Sequence, residues 1–257
     1  MTTNIAPAQV LGDGPVRLIA VTGWMGDHRL FDPFLPLIDK QRYSFAFLDA
    51  RGYGSRIQDG GPYTVEQIAS DISICADELG WEQFHVIGHS MAGMSAQRLA
   101  VDIPKRVLSA ILLAPVPACG ARINEQRRNM LLAAINDPEA RKRLINANTG
   151  GIRSDAWLDV LRDTSLAGTR PDVLEAYMAS WTGAGFAEEI QNVQVPVRVI
   201  VGEKDPGAVP ERLRETIGTW FANFELHVLA GCGHYPMWEQ PEAFAAALSS
   251  VLSHLKG

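Results

Sequence analysis

The stretch FHVIGHSMAGMSAQRLAVD, residues 84–102, changes character part-way along. Its first six residues, FHVIGH, form a short apolar run of the kind that fills a buried strand. The remainder, SMAGMSAQRLAVD, carries its apolar residues at helical spacing. Ser90 stands on the junction. A polar residue there, among small neighbours, is ordinarily a turn residue or a helix cap. The other reading is a nucleophile pushed out of a tight turn, and the rest of the chain has to decide between them.

Working outward, runs rich in Val, Ile and Leu recur at VRLIAVTG (16–23), YSFAFLDARG (43–52), VLSAILLAPVP (107–117), VPVRVIVGE (195–203) and FELHVL (224–229). Helical patterns separate them. TVEQIASDISICADELG (64–80) has Thr64 to cap it, Gln67 at the capping-box position and Gly80 to close it. LFDPFLPLID (30–39) is proline-punctuated and predicts a brief helix, and PEAFAAALSSVLSHLK (241–256) predicts a closing one. Strands alternating with helices predict an α/β fold, a mostly parallel doubly wound sheet of about six to eight strands flanked by helices. Residues 118–192 contain no strand-like run but several helical ones, such as INEQRRNMLLAAI and PDVLEAYMASW. A structureless loop of that length is implausible in a compact domain. The block therefore predicts a helical cap inserted into a core made of 1–117 and 193–257.

The chain has 257 residues, 29 acidic against 23 basic, and a formal net charge of -6. No basic surplus exists to neutralise phosphates, so no nucleic-acid partner is expected. No apolar stretch approaches the roughly 20 residues needed to cross a bilayer, and MTTNIAPAQV does not read as a signal peptide. Cys75, Cys119 and Cys232 are scattered without metal-ligand spacing, which predicts free thiols in a reducing cytoplasm. No metal, cofactor or membrane partner is expected; a small-molecule substrate is.

Ligands of open parallel sheets bind outside the carboxyl ends of the strands. Ser90, Asp205 (in GEKD) and His234 (in GCGHY) all fall at such ends. A serine hydroxyl needs an imidazole to take its proton, and the imidazole needs a carboxylate to fix its tautomer and stabilise its cation. Asp205 could also be a loop carboxylate capping the turn at Pro206, and the fallback acid is Glu203.

Four stretches carry a resemblance to a known family. GHSMAG resembles the nucleophile elbow of the α/β-hydrolases, VGEKDPGAVP their acid loop, GCGHYPMWEQPEAF their histidine loop, and DARGYGS their arginine-glycine turn. The resemblance runs from about residue 16 to the end and is weakest in the cap. It implies a catalytic Ser90–His234–Asp205 triad and an oxyanion hole formed by the N–H groups of Trp24 and Met91. Gly88 suits a turn that brings the residues two before and two after the serine together. Ala92 departs from the usual glycine and predicts a slightly more crowded elbow. An early antiparallel hairpin common in the family has little room before residue 16, so a shortened hairpin and fewer than eight strands are expected.

Of the other histidines, His85 and His227 lie within strands, His89 is expected to support the elbow, and His254 lies in the last helix. His28, in GWMGDHRLF, is either a solvated helix start or a pocket residue. Met25, His28, Trp157, Met178, Trp181 and Tyr235 are the candidates for substrate binding, with Tyr177 beside them in the cap. The implied reaction is hydrolysis of a small to medium, largely apolar ester-like substrate (carboxylester, lactone or thioester) through an acyl-enzyme. Carbon–carbon bond hydrolases of ring-cleavage pathways use the same triad and compete with this reading. Cofactor-free quinolone dioxygenases are similar at GWMGDHR but would need a histidine where Gly26 stands. A catalytically weak small-molecule-binding protein is the alternative from another class.

Overall fold

The computed structural model describes residues 5–253. The strands are β1 (Gln9–Leu11), β2 (Val16–Val21), β3 (Tyr43–Leu48), β4 (Phe84–His89), β5 (Val107–Leu113), β6 (Val197–Gly202) and β7 (Phe224–Leu229). They form one sheet in the order β1-β3-β2-β4-β5-β6-β7. All neighbours are parallel except β1, which pairs antiparallel with β3. The sheet thus has seven strands among the described residues, and three-residue β1 is all that stands where a full hairpin was not expected to fit.

The central strands are apolar on both sides because helices cover both faces. Successive residues alternate between two cores. Ile19, Val21, Ala46, Leu48, Val86 and Leu112 point to one, Leu18, Ala20, Phe45, Phe47, Ile87 and Ile111 to the other. The first core is completed by α1 (Val65–Glu78) and α2 (Met91–Asp102). As predicted, α1 is capped by Thr64, whose side chain accepts from Gln67 N–H. After α2 come the four helices between β5 and β6: α3 (Glu125–Asn136), α4 (Pro138–Asn148), α5 (Asp155–Gly168) and α6 (Pro171–Trp181). Then follow α7 (Pro210–Glu215), α8 (Ile217–Trp220), α9 (Pro236–Glu239) and α10 (Pro241–Ser253). Phe244 and Leu248 of α10 lie in the second core, with Phe244 edge-on to Phe34 at 4.9 Å.

Several strands end sooner than their apolar runs. β2, β3 and β5 stop at Val21, Leu48 and Leu113, because the residues beyond turn away into loops. Region 30–39 forms two single 3-10 turns, His28–Phe31 and Leu35–Leu37, instead of one helix, Pro36 allowing no longer run. His254 lies outside the described residues.

The register brings the carboxyl ends together: Val21 pairs with both Leu48 and Gly88, His89 with Leu113, Leu113 with Ile200, and Gly202 with Leu229. The chain leaves β2 towards β3 on one side and returns to β4 on the other. That reversal opens a crevice between the loops after β2 and β4. The four-helix insertion sits over this edge. Trp24 Nε1 donates to the Leu174 carbonyl at 2.7 Å, Tyr177 Oη to the Arg51 carbonyl at 3.2 Å, and His234 N–H to the Asn148 carbonyl at 3.1 Å. Within the insertion, fully buried Arg141 donates to the Ala134 and Ile135 carbonyls and to the Ser165 and Thr169 hydroxyls, so satisfying the end of α3.

Candidate active site

Ser90 follows β4 directly and precedes the first residue of α2. Its backbone is at φ 52°, ψ -115°, a region that costs a non-glycine residue of order 1–3 kcal/mol. The surrounding bonds enforce it: Ser90 N–H donates to Leu113 O at 2.8 Å, and its carbonyl accepts from Gly93 and Val116. The side chain makes no capping hydrogen bond to α2. Ser90 therefore bears strain without the return a helix cap would give. Gly88 is required by the turn, since a Cβ there would collide with the Ala92 carbonyl. The Ala92 side chain is itself buried in the first core, and the Ala92 carbonyl is the atom that closes on Gly88.

The loop after β2 passes tightly over the serine. A Cβ on Gly23 would lie 2.5 Å from Ser90 Cβ, so only glycine fits. Among the described residues, the N–H groups of Trp24 and Met91 donate to no protein acceptor. His89 holds this loop in place. Its Nδ1 accepts from Gly23 N–H at 3.2 Å and its Nε2 donates to the His234 carbonyl at 2.9 Å. A backbone N–H can only donate and a carbonyl only accept, so the ring is neutral with its proton on Nε2. Burial agrees, pushing its pKa down to about 3, with His234 nearby acting the same way.

Asp205 lies beyond β6 and His234 beyond β7. His234 Nδ1 is 2.6 Å from Asp205 Oδ2, which makes Nδ1 the donor and leaves Nε2 as the acceptor of the neutral ring. Asp205 Oδ1 accepts from Gly207 and Ala208 N–H at 2.8 and 3.2 Å. Burial alone would raise the carboxyl's pKa; His234 and these N–H groups outweigh it and hold the group below the usual carboxylate range. Glu203, the alternative acid, is exposed, accepts from Gly231 N–H at 2.9 Å and lies beside Lys204.

Ser90 and His234 line one cavity of about 900 Å3, together with Trp24, Met25, Trp181 and Tyr235. Trp181 meets Trp24 edge-on at 5.8 Å. Three residues expected at the pocket are elsewhere. His28 is turned to Asp49 at 2.8 Å, Trp157 lies under the Arg153 guanidinium at 5.7 Å, and Met178 is packed inside the first core. Helical spacing gave the last two an apolar face but could not say against which surface it packs. Tyr177 likewise is core, edge-on to Tyr53 at 5.3 Å.

A family model described as the alpha/beta hydrolase family matches residues 18–247. The chain belongs to the alpha/beta hydrolase family. It is 30% identical, over 94% of its length, to the dihydrolipoyllysine-residue acetyltransferase component of an acetoin cleaving system from Cupriavidus necator, but spans only 64% of that protein. A 2-hydroxy-6-oxononadienedioate/2-hydroxy-6-oxononatrienedioate hydrolase from Burkholderia vietnamiensis is 27% identical, the match covering 95% of this chain and 85% of that one. Among solved structures, an enol-lactonase from Burkholderia xenovorans superposes with a TM-score of 0.82 at 21% identity, covering 96% of this chain and 95% of the other. That likeness is one of fold.

Two supports of this hydrolase's site were missed in the sequence. Glu239 Oε2 accepts from Gly233 N–H at 3.0 Å and Oε1 from Tyr235 N–H at 2.9 Å, clamping the loop on both sides of His234. The same carboxylate pairs with Arg153 at 2.8 Å, tying the loop to the insertion. Gln97, wholly buried in α2, donates to the Gly93 and Val116 carbonyls and accepts from Ala118 N–H. Glu239 stood in view within the histidine-loop motif, where its acceptor role could have been weighed. Gln97 gave no signal, because a glutamine on a helix is usually solvated. No described helix is long and apolar enough to cross a membrane.

Proposed function

We propose that this alpha/beta hydrolase is a serine hydrolase that cleaves an ester-like bond (carboxylester, lactone or thioester) through an acyl-enzyme. The observation that carries the reading is the strained, non-capping Ser90 on the wall of a cavity shared with an Asp205-paired His234. Ser90 Oγ attacks the substrate carbonyl as its proton passes to His234 Nε2. Asp205 keeps Nδ1–H in place and stabilises the imidazolium. The N–H groups of Trp24 and Met91 receive the oxyanion; one such donor is typically worth about 100- to 1000-fold in rate. The imidazolium then protonates the leaving alcohol, thiol or enol. Water, deprotonated by the same ring, attacks the acyl carbonyl and releases Ser90 with a carboxylic acid. The four-helix insertion serves as the cap that closes the cavity, whose volume suits a small to medium molecule.

A second reading on the same residues is hydrolysis of a carbon–carbon bond beside a ketone. It is favoured by the Burkholderia vietnamiensis hydrolase, which aligns over 95% of this chain. Labelling with a fluorophosphonate probe tests the serine mechanism. Modification of Ser90, absent in Ser90→Ala, is expected; modification elsewhere, or full turnover by Ser90→Ala, overturns it. Turnover rates for a panel of esters, lactones, thioesters and vinylogous diketones then separate the two readings.

A further inference from the structure

The charge on the cavity wall runs against the charge of the protein. The chain carries 29 acidic and 23 basic residues, yet the residues lining the cavity include Arg122, Arg127 and Arg212 and no aspartate or glutamate. Among the described residues, none of the three has a carboxylate within salt-bridge distance, whereas Arg29, Arg51, Arg56, Arg98, Arg106 and Arg153 do. Arg122 and Arg212 are exposed, and solvent suffices for them. Arg127 is different: it is partly buried and desolvation lowers its pKa.

The one side-chain partner of the Arg127 guanidinium among the described residues is Asn148, whose Oδ1 accepts from Nη2 at 2.7 Å. The backbone carbonyl of the same Asn148 accepts from His234 N–H at 3.1 Å. Arg127 is thereby fixed one residue away from the histidine loop, with most of its donor fork uncommitted. Arg127 does nothing for its own helix. It is the third residue of α3, in the first turn, where the helix dipole favours an acid and disfavours a cation. Arg141 shows the contrast: more deeply buried, it spends its donors on carbonyls and hydroxyls of the insertion.

We propose that the cavity takes an anionic substrate, and that Arg127, held by Asn148, binds a carboxylate on the part of the molecule away from the bond under attack. Arg122 and Arg212 at the rim draw the anion in. This deepens the serine-hydrolase reading and rests on it for the position of the scissile bond. It stands in place of the largely apolar substrate expected from the sequence. A guanidinium–carboxylate hydrogen bond out of bulk solvent is worth about 10- to 100-fold in affinity.

The test compares mono-p-nitrophenyl glutarate with its methyl ester, in which the same carboxylate is neutralised. The wild-type protein should favour the anionic ester in kcat/KM by about tenfold or more, and the preference should shrink as salt is raised, because the rim charges are screened. In Arg127→Gln the ratio should fall towards one, and Arg127→Lys should restore part of it. A wild-type preference for the neutral ester, or an unchanged ratio in Arg127→Gln, overturns the proposal while the serine mechanism stands. If neither ester is turned over, labelling of Ser90 decides the serine mechanism, and binding decides the anion site. Glutarate titrated against the fluorescence of Trp24, Trp181 and Trp220 should then bind the wild type and Ser90→Ala alike, and Arg127→Gln about tenfold or more weaker. Equal binding by Arg127→Gln removes the site.

Discussion

Two aspartate–histidine pairs stand beyond the carboxyl ends of the strands, and they are built alike. Asp205 meets His234 Nδ1 at 2.6 Å and Asp49 meets His28 Nδ1 at 2.8 Å. Both carboxyls are held below the usual range against burial. A serine goes with each, Ser55 in contact with Asp49 and Ser90 on the cavity wall that His234 shares. The difference is what the serine does. Ser55 donates its hydroxyl to Asp49 Oδ2 at 2.9 Å, and Asp49 also accepts from the N–H groups of His28 and Ser55. That carboxylate is the hub of a turn, and its histidine is absent from the cavity wall. Ser90 donates nothing to Asp205; it shares the cavity with His234, whose Nε2 is free to accept. Pairing and a shifted pKa are therefore common to a structural knot and a candidate proton relay. What separates them is an imidazole nitrogen and a hydroxyl that share one cavity wall and are both unspent.

The comparison breaks most directly at the two serines. Ser90→Ala should lower kcat by about 10000-fold or more, while Ser55→Ala should leave it within about tenfold, both read on the best ester of the panel. Comparable losses would make the pairs functionally equivalent. At the carboxylates, Asp205→Asn should cost about 1000- to 10000-fold in kcat by favouring the wrong tautomer. Asp49→Asn should appear instead in denaturant unfolding, as a loss of about 2–3 kcal/mol from its buried, multiply bonded site.

The histidines sharpen the contrast through pH. The pair with Asp49 raises the His28 pKa above 6.5, hydrogen bonding first and nearby Asp49, Asp27 and Asp32 charges after it, against partial burial. Its contribution to stability is present below pH 6.5 and is lost as pH rises through the folded value. His85 and His89 are pushed down by burial to about 4 and about 3, so their contribution is present above pH 6.5 and lost as pH falls. Calorimetry should show the Tm falling from pH 7 to pH 5, less steeply in His89→Gln. His28→Gln should flatten the change between pH 6 and pH 8. The smallest effect belongs to Ala92→Gly: activity within about tenfold, and a stability loss of about 1 kcal/mol from a glycine in the helix.

Much of this was legible in advance. Alternating apolar runs marked the sheet because both faces of β2 to β6 are covered, so their strands read as largely continuous apolar runs. Ser90, Asp205 and His234 were legible because a parallel sheet delivers its strand ends to one edge whatever the intervening helices do. The pocket was not. Trp157, Met178 and Trp181 share helical spacing, and only the docking of α5 and α6 decides that the first packs beneath Arg153, the second into the core and the third onto the cavity. His28 could not be placed because its partner Asp49 is 21 residues away on another strand end. Arg127 escaped notice because an arginine on a polar helix is unremarkable until its lack of a counter-ion is seen.

The His89 bridge has a consequence for which sequences this fold tolerates. One rigid ring touches Gly23 N–H with one nitrogen and the His234 carbonyl with the other, so its width acts as a gauge between two loops that are 211 residues apart in the chain. A replacement must offer an acceptor and a donor at that spacing and stay uncharged in the interior. A lysine or arginine has no acceptor, a carboxylate has no donor at neutral pH, and a methionine or leucine fills the volume but spans nothing. Position 89 is thus open to very few substitutions, although its side chain is not part of the cavity wall. Drift in either loop has to preserve the gap that the imidazole measures.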